Sequence, residues 1–241
     1  MKAEYIHFSI DDVISSLKWL KENNPRSIFD MNFYKTIRTW HDRYGINISL
    51  YIYEVCDGFS IDELPQKYWD EFRENDSWLK FCWHRRKGGL VEDDYDTEIQ
   101  SFIRVKNIID NKVSPYAWTD TVRLHRFEAG SDLITFLKDK GNISCLLCAD
   151  DNRLSYDLTD IDTDILEKDR IVVKNDIIYR KTDIRLDLLE LSTNEEIESL
   201  YMMSKKIIEN VTDKRVVLFC HEWIFNRIYK NIEQYFQYIM N

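Results

Sequence analysis

The chain has 241 residues, and its 33 Lys and Arg against 43 Asp and Glu give a formal net charge of −10. This acidic balance disfavours nucleic acid and membrane surfaces as partners, because both require clustered excess basic residues. The 44% hydrophobic content is that of a folded protein, and Gly and Pro are too scarce to mark a linker, so we predict a single domain over residues 1–241.

Strand-like and helix-like segments alternate along the chain. The first predicted strand, residues 5–10, is followed by residues 13–21, whose apolar side chains recur at helical spacing. Two late strand-like segments flank Asn175-Asp176 and predict a β-hairpin. The other predicted strands are residues 46–55, 79–84, 121–125, 143–149 and 215–220, and the other predicted helices are residues 33–44, 61–75, 98–110, 132–140 and 223–239.

This alternation predicts the fold class. Strands separated by helices of about 10–15 residues indicate βα units and a parallel sheet. The strands are nearly continuous in apolar residues, as expected of a sheet that helices cover on both faces. The class is therefore α/β, and both a (β/α) barrel and an open doubly wound sheet fit the periodicity.

Polar residues follow most of the predicted strands. In parallel α/β folds the reactive residues lie beyond the carboxyl ends of the strands, so these side chains are expected at one common rim. Carboxylate and imidazole groups are suitable ligands for Zn²⁺ or another first-row divalent ion. The residues concerned are Asp11, Asp12, His84, His125, Arg126, Asp150, Asp151, His221 and Glu222.

Five of these residues also have a purely structural explanation. Asp11 and Asp12 are suited to cap the helix that follows them. His84 begins a basic segment that can be a solvated loop, and His125 can be a hydrogen-bonded rim residue without a metal. His221 follows an apolar run and can be a core histidine. The recurrence of such residues at strand ends is what favours a site.

The cysteines indicate reduced, intracellular thiols. Their number is odd and their surroundings are apolar, unlike a secreted disulfide framework. Cys145 and Cys148 have redox or zinc spacing but lie in an apolar run, which favours buried core thiols. The sequence shows neither a leader-like start nor 18 consecutive apolar residues, so we expect a cytoplasmic protein.

The strand-end residues resemble motifs of the polysaccharide deacetylase superfamily, also called NodB-homology or carbohydrate esterase family 4. Phe8-Ser-Ile-Asp-Asp-Val13 is similar to the first motif, which implies that Asp11 is the catalytic base and Asp12 a metal ligand. Phe81-Cys-Trp-His84 resembles the second motif, whose first histidine binds the metal.

Two later segments extend this resemblance over nearly the whole chain. Arg126-Phe-Glu-Ala-Gly130 resembles the third motif and implies that Arg126 orients the base. Val216-Val-Leu-Phe-Cys-His-Glu222 is similar to the final strand, which implies that His221 is the catalytic acid. The resemblance also implies a distorted (β/α) barrel of about seven parallel strands, of the NodB type, here with the late hairpin inserted.

The sequence departs from this pattern at the second metal histidine. That histidine follows the first by four residues, a position that Gly88 occupies here. Because His125 ends the neighbouring predicted strand, we expect it to replace the missing ligand beside Asp12 and His84. The usual Gly after the paired aspartates is Val13, and the prolines of the third motif are absent.

The resemblance implies a metal-dependent hydrolase that removes the acetyl group from an acetylated amino sugar. Arg85, Arg86 and Lys87 follow the second motif and predict a phosphate or carboxylate on the carbohydrate substrate. Two alternatives stay open at this point. One is a catalytically inactive carbohydrate-binding protein, and the other is a different metal-dependent hydrolase on the same fold.

Overall fold

The computed structural model describes residues 6–89, 93–210 and 215–240, which form an α/β fold with mainly parallel strands. The strands are β1 (Ile6–Val13), β2 (Ile48–Tyr53), β3 (Val55–Cys56), β4 (Phe59–Ser60), β5 (Leu79–Arg85), β6 (Thr121–Val122), β7 (Cys145–Cys148), β8 (Ile171–Lys174), β9 (Ile177–Lys181), β10 (Ile184–Arg185) and β11 (Val216–His221). The helices are α1 (Ser15–Asn23), α2 (Asn32–Tyr44), α3 (Gln66–Glu74), α4 (Tyr95–Ile108), α5 (Ser131–Gly141), α6 (Asp160–Asp169), α7 (Asn194–Asn210) and α8 (Phe225–Met240).

The larger sheet has five parallel strands in the order β10-β11-β1-β2-β5. The first strand is central, and it pairs on one side with the last strand of the chain. Phe8 and Ile10 of β1 are fully buried, as are the apolar residues of β2. Burial on both faces explains why these strands are nearly continuous in apolar residues.

The second sheet has four strands in the order β6-β7-β9-β8. Strand β8 is antiparallel to β9, and the two form the hairpin that the sequence predicts around Asn175-Asp176. Both turn residues have positive φ, 52° and 61°, which is the geometry of the tight turn that matches the twist of a hairpin.

The predicted distorted barrel of about seven parallel strands is wrong in that form. Over the described ranges the strand ladders form separate five-stranded and four-stranded sheets, and they do not show a closed barrel. The link between β5 and the second sheet is one isolated bridge from Phe81 to Trp118, a residue that precedes β6. The alternation of elements predicts parallel pairing but not ladder length, and β6 ends after two residues because the chain turns at Leu124 into a short 3-10 helix.

The helices differ from the predicted ones mainly late in the chain. Helices α6 and α7 have no predicted counterpart; α6 buries one side chain, Leu166, and α7 buries Ile197 and Ser204. Helix α8, by contrast, has a clear apolar face whose Phe225 and Phe236 pack on Trp40 of α2. Of the helices in the described ranges, none combines the length and apolar character needed to cross a bilayer.

Candidate functional site

Local breaks in the strand ladders shape the candidate site. The pairing of β1 with β2 shifts register between Ile10 and Val13, and Asp12 in that interval has a φ of 59°. The pairing of β2 with β5 shifts in the same way, so that His84 is the extra residue on β5. Such bulges re-aim side chains and recur beside active sites. Both Asp12 and His84 therefore lie at a bulge.

Asp12, His84 and His125 form the predicted group of potential metal ligands. One ligand atom from each residue lies within 4.8 Å of the other two. Oδ1 of Asp12 is 3.2 Å from Nε2 of His84 and 3.5 Å from Nδ1 of His125. Ligand atoms about 2.0–2.1 Å from one tetrahedral ion are separated by roughly 3.3 Å. The donor set and its spacing therefore fit Zn²⁺ or a similar divalent ion.

The protein orients these ligands through hydrogen bonds. Nδ1 of His84 lies 2.5 Å from the carbonyl oxygen of Arg123, so Nδ1 carries a proton and donates it there, and Nε2 is the ring nitrogen that faces Asp12. Burial raises the pKa of Asp12, but hydrogen bonds from His125, His84 and Tyr53 outweigh it and hold that pKa well below its usual range. Asp12 is therefore a carboxylate, as a metal ligand must be.

Tyr53, at the end of β2, contacts two of these three residues. Its hydroxyl donates a hydrogen bond to Oδ1 of Asp12, and its oxygen lies 2.6 Å from Nδ1 of His125. Burial and the Asp12 carboxylate raise the pKa of Tyr53, so the phenol is neutral here. A Cβ placed on Gly88 would lie 3.3 Å from the same phenolic oxygen. Tyr53 therefore fills the space beside position 88.

Asp11, the predicted base, is paired with an arginine other than the predicted one. Its carboxylate is 1% exposed, and both its oxygens lie 3.1 Å from Nη1 of Arg123. Arg126, which we expected in this role, forms an ion pair with Glu128 at 3.0 Å. The assignment of Arg126 to Asp11 is therefore wrong. Arg123 reaches Asp11 because it precedes the turn, whereas Arg126 lies within it.

His221, the predicted acid, is adjacent to Asp11. The two are register partners in the parallel pairing of β1 with β11, and both line the same cavity. Nδ1 of His221 is 2.5 Å from Oδ2 of Asp187, so Nε2 is the ring nitrogen left for another partner. Burial lowers the pKa of His221, but the Asp187 hydrogen bond and the nearby carboxylates reverse this effect and raise it.

Glu222, the next residue, holds the backbone that directly follows β1, the strand that carries Asp12. Its buried carboxylate accepts hydrogen bonds from the backbone N–H groups of Ile14, Ser15 and Ser16, at 3.0, 2.7 and 2.8 Å. These are the groups that the start of α1 leaves unpaired, and a negative charge is favourable there. Glu222 therefore takes the capping role that we weighed for Asp11 and Asp12.

The cavity that joins these groups has a volume of about 170 Å³. Asp11, His84, His125 and His221 form part of its wall, together with aromatic and arginine side chains. A second cavity, of about 610 Å³, is lined by Gly88, Lys87 and the β3–β4 hairpin. Two of the three predicted ligands thus line one cavity together with the predicted base and the predicted acid.

Several predicted candidates lie outside this arrangement. Asp151 forms an ion pair with Arg153 at 2.5 Å instead of joining the potential ligands. The predicted anion-binding segment is paired with carboxylates: Arg85 with Glu98 at 2.9 Å, and Arg86 and Lys87 with Asp93 at 3.0 and 3.1 Å. Its charges are thereby largely neutralised within the protein.

Cys145 and Cys148 are buried free thiols, as predicted. Because they are three residues apart on strand β7, their side chains project from opposite faces of the sheet and cannot act as a pair. Burial raises the pKa of both thiols, that of Cys145 to about 11. These cysteines therefore belong to the core.

Sequence reasoning missed three residues of the site, namely Tyr53, Arg123 and Asp187. Tyr53 ends β2 in the structure but lies inside the predicted strand 46–55, which hides it from the strand-end rule. Arg123 lies inside a predicted strand, which hides it from that rule. Asp187 lies in the short helical segment Leu186–Leu191, 34 residues before His221, where no sequence signal marks it.

Comparison with known proteins supports the fold alone. No protein-family model and no curated protein sequence matches this chain. Among solved structures it is similar to a 4-alpha-glucanotransferase from Thermococcus litoralis, with a TM-score of 0.63 and 12% identity. The match covers 98% of this chain but 37% of that protein, so the chain spans little more than a third of its length. The chain thus has an α/β fold like part of that enzyme, and the likeness says nothing about deacetylation.

Proposed function

We propose that the site is that of a metal-dependent hydrolase which removes the acetyl group from an acetylated amino sugar. One observation carries this proposal: Asp11 and His221 are register partners on adjacent strands and share a cavity with His84 and His125. A candidate base and a candidate acid thereby lie beside a ligand set suited to one divalent cation.

Asp12, His84 and His125 would hold the cation, with Zn²⁺ the ion best matched to one carboxylate and two imidazoles. When bound, such a cation polarises a carbonyl group and lowers the pKa of water to about 7. Three protein ligands leave a coordination position open, which is the usual difference between a catalytic and a structural zinc site.

The chain's own residues supply the proton transfers. Asp11, fixed by Arg123 and Ser9, accepts a proton on its carboxylate as water attacks the amide carbonyl. His221 then donates a proton from Nε2 to the departing amine, while Asp187 holds Nδ1 and favours the protonated ring. The raised pKa of His221 supports the acid role, because more of the ring is protonated near neutral pH.

The test is acetate release from a panel of N-acetylated and O-acetylated sugars, with and without added Zn²⁺. We expect release from N-acetylated amino sugars by the wild-type chain and none by Asp11→Asn, which should still bind the metal. Release from O-acetyl esters alone would indicate a different metal-dependent hydrolase. Turnover by Asp11→Asn equal to that of the wild type would refute the base assignment.

The Tyr53 contacts favour one alternative, an inactive carbohydrate-binding protein. The hydroxyl of Tyr53 engages both Asp12 and His125, so these ligand atoms have partners without a cation. Elemental analysis of protein purified without a His-tag and without chelators separates the two functions. Less than about half an equivalent of any divalent metal, together with sugar binding and no acetate release, would favour the binding protein.

A further inference from the structure

The cavity beside Asp11 is rich in arginine although the chain carries a net charge of −10. Four arginines line it, whereas Asp11 is the one carboxylate among the described lining residues. Arg123 is committed to Asp11. The other three are Arg126, Arg153 and Arg185, whose side chains are 38%, 50% and 32% exposed.

Aromatic rings support two of these three guanidinium groups. The guanidinium carbon of Arg153 lies 5.6 Å from the ring centre of Phe127, and that of Arg185 lies 5.8 Å from the ring centre of Phe219. Both rings line the same cavity. A guanidinium over a ring face is stabilised there, while its N–H edge stays available to a planar oxyanion.

Each of the three arginines also has a carboxylate partner in the protein. Arg126 pairs with Glu128, Arg153 with Asp151 and Arg185 with Asp187. A guanidinium has five N–H donors, and one carboxylate accepts at most two in the usual bidentate geometry. Arg153 donates from Nε and Nη2 to Asp151, and Arg185 donates from Nε to Asp187, so these two groups are held in place and keep N–H donors that can bind a further anion.

The turn that carries Arg126 is strained. Arg126 and Phe127 are consecutive residues with φ of 59° and 61°, in the left-handed region that residues with a Cβ rarely adopt. Tyr156 holds this turn, because its N–H donates to the carbonyl oxygen of Phe127 at 2.7 Å. Strain of this kind concentrates at ligand sites. The same turn brings His125 to the ligand group and Arg126 to the cavity wall.

We propose that this cavity binds an oxyanion, a phosphate or carboxylate group carried by the sugar on which the site acts. The inference rests on the proposed function for the identity of the sugar, but the anion site itself is defined by the arginines. It moves anion recognition from Arg85, Arg86 and Lys87, which are not among the lining residues of this cavity, to Arg126, Arg153 and Arg185, which line it.

Calorimetric titration of the metal-free protein in chelator tests this site. The ligands are N-acetylglucosamine phosphate, N-acetylglucosamine and glucuronic acid, so that phosphate and carboxylate are separated from the neutral sugar. We expect one of the two anionic sugars to bind at least about tenfold more tightly than the neutral one, because charge-assisted hydrogen bonds are strong. Equal affinity for all three would overturn the proposal.

Three single variants locate the anion. Arg153→Gln removes a half-exposed side chain and should fold normally, and Arg126→Gln gives an independent loss of charge. Each should weaken binding of the anionic sugar about tenfold and leave the neutral sugar unaffected. Arg86→Gln, in the segment first predicted, is the matched control and should bind as the wild type does. A loss confined to Arg86→Gln would instead place the anion at that segment.

The anion site and the proposed function can be refuted independently of each other. Binding is measured without metal and without turnover, so an inactive protein can still show the anion preference. Conversely, a chain that deacetylates neutral sugars and binds anionic ones no better keeps its proposed reaction and loses this cavity assignment.

Discussion

The phenolic oxygen of Tyr53 lies 3.3 Å from where a Cβ on Gly88 would be. Position 88 is where the resemblance to the polysaccharide deacetylases implies a second metal histidine. Here a tyrosine from β2 fills that space, and the second imidazole comes from His125 on another segment. Tyr53 thus contacts both the space at position 88 and the imidazole of His125.

Gly88→His should therefore weaken the binding of Zn²⁺, because the new side chain collides with Tyr53 and displaces its contacts to Asp12 and His125. In the double variant Gly88→His/Tyr53→Ala we expect affinity to recover, with a coupling of about 1 kcal/mol or more between the two positions. Competitive Zn²⁺ titration of the four proteins measures this. Gly130→His is the control, since a Cβ there meets nothing within 4 Å. Purely additive effects would contradict the shared-space explanation.

Arg123→Met should destabilise the protein strongly. The substitution leaves Asp11 as a buried carboxylate without its cation, for which a loss of about 3–5 kcal/mol in the free energy of unfolding is expected. Urea denaturation is the measurement, and Arg123→Met/Asp11→Asn should regain part of the loss. Arg126→Met, at the position first assigned to this role, should change stability by no more than about 0.5 kcal/mol. If Arg126→Met proves the more damaging variant, the reassignment fails.

The contact between His221 and Asp187 predicts a pH dependence. The folded protein raises the pKa of His221 above 6.5, so the resulting stabilisation is complete below that pH and is lost as pH rises through the folded value. In Asp187→Asn the pKa of His221 should fall, because the carboxylate that favours the charged ring is gone. NMR titration of the His221 ring measures both values, and His221→Gln identifies its signal.

The same change should affect turnover in the same direction. As a general acid His221 acts in its protonated form, so the rate should decline at high pH, and in Asp187→Asn this decline should begin at a lower pH. An unchanged high-pH limb in Asp187→Asn would assign that limb to another group.

The strand-end rule predicted the grouping of Asp12, His84 and His125. Asp12 and His84 lie at the ends of strands in the larger sheet, and His125 follows β6 of the second sheet, so residues from both sheets come together there. What periodicity does not encode is the local geometry. Packing among the strands decides where the two bulges fall, at Asp12 and His84, and where β6 ends. It also decides that Arg123, and not Arg126, contacts Asp11. For that reason the ligands were predictable and the partner of Asp11 was not.

Glu222→Gln should reduce both stability and metal affinity. The amide retains one acceptor oxygen but sets N–H donors against backbone N–H groups of α1, at a cost of about 1–3 kcal/mol. Because these N–H groups directly follow β1, which carries Asp12, Zn²⁺ should also bind more weakly. Asp94→Asn is the matched control, since Asp94 caps α4 by bonding the N–H of Thr97 and should affect stability alone. Equal Zn²⁺ affinity in Glu222→Gln and the wild type would make Glu222 purely a helix cap.

The hydrogen bonds of Glu222 to Ile14, Ser15 and Ser16 span more than 200 residues of sequence. Strand β1 likewise has β11 as one of its two neighbours. During synthesis the Asp11-Asp12 segment therefore leaves the ribosome long before the residues that hold it in place. A nascent chain stalled ahead of β11 would carry all three potential ligands without the strand that completes their surroundings, so the ability to retain a metal should arise only after β11 has emerged.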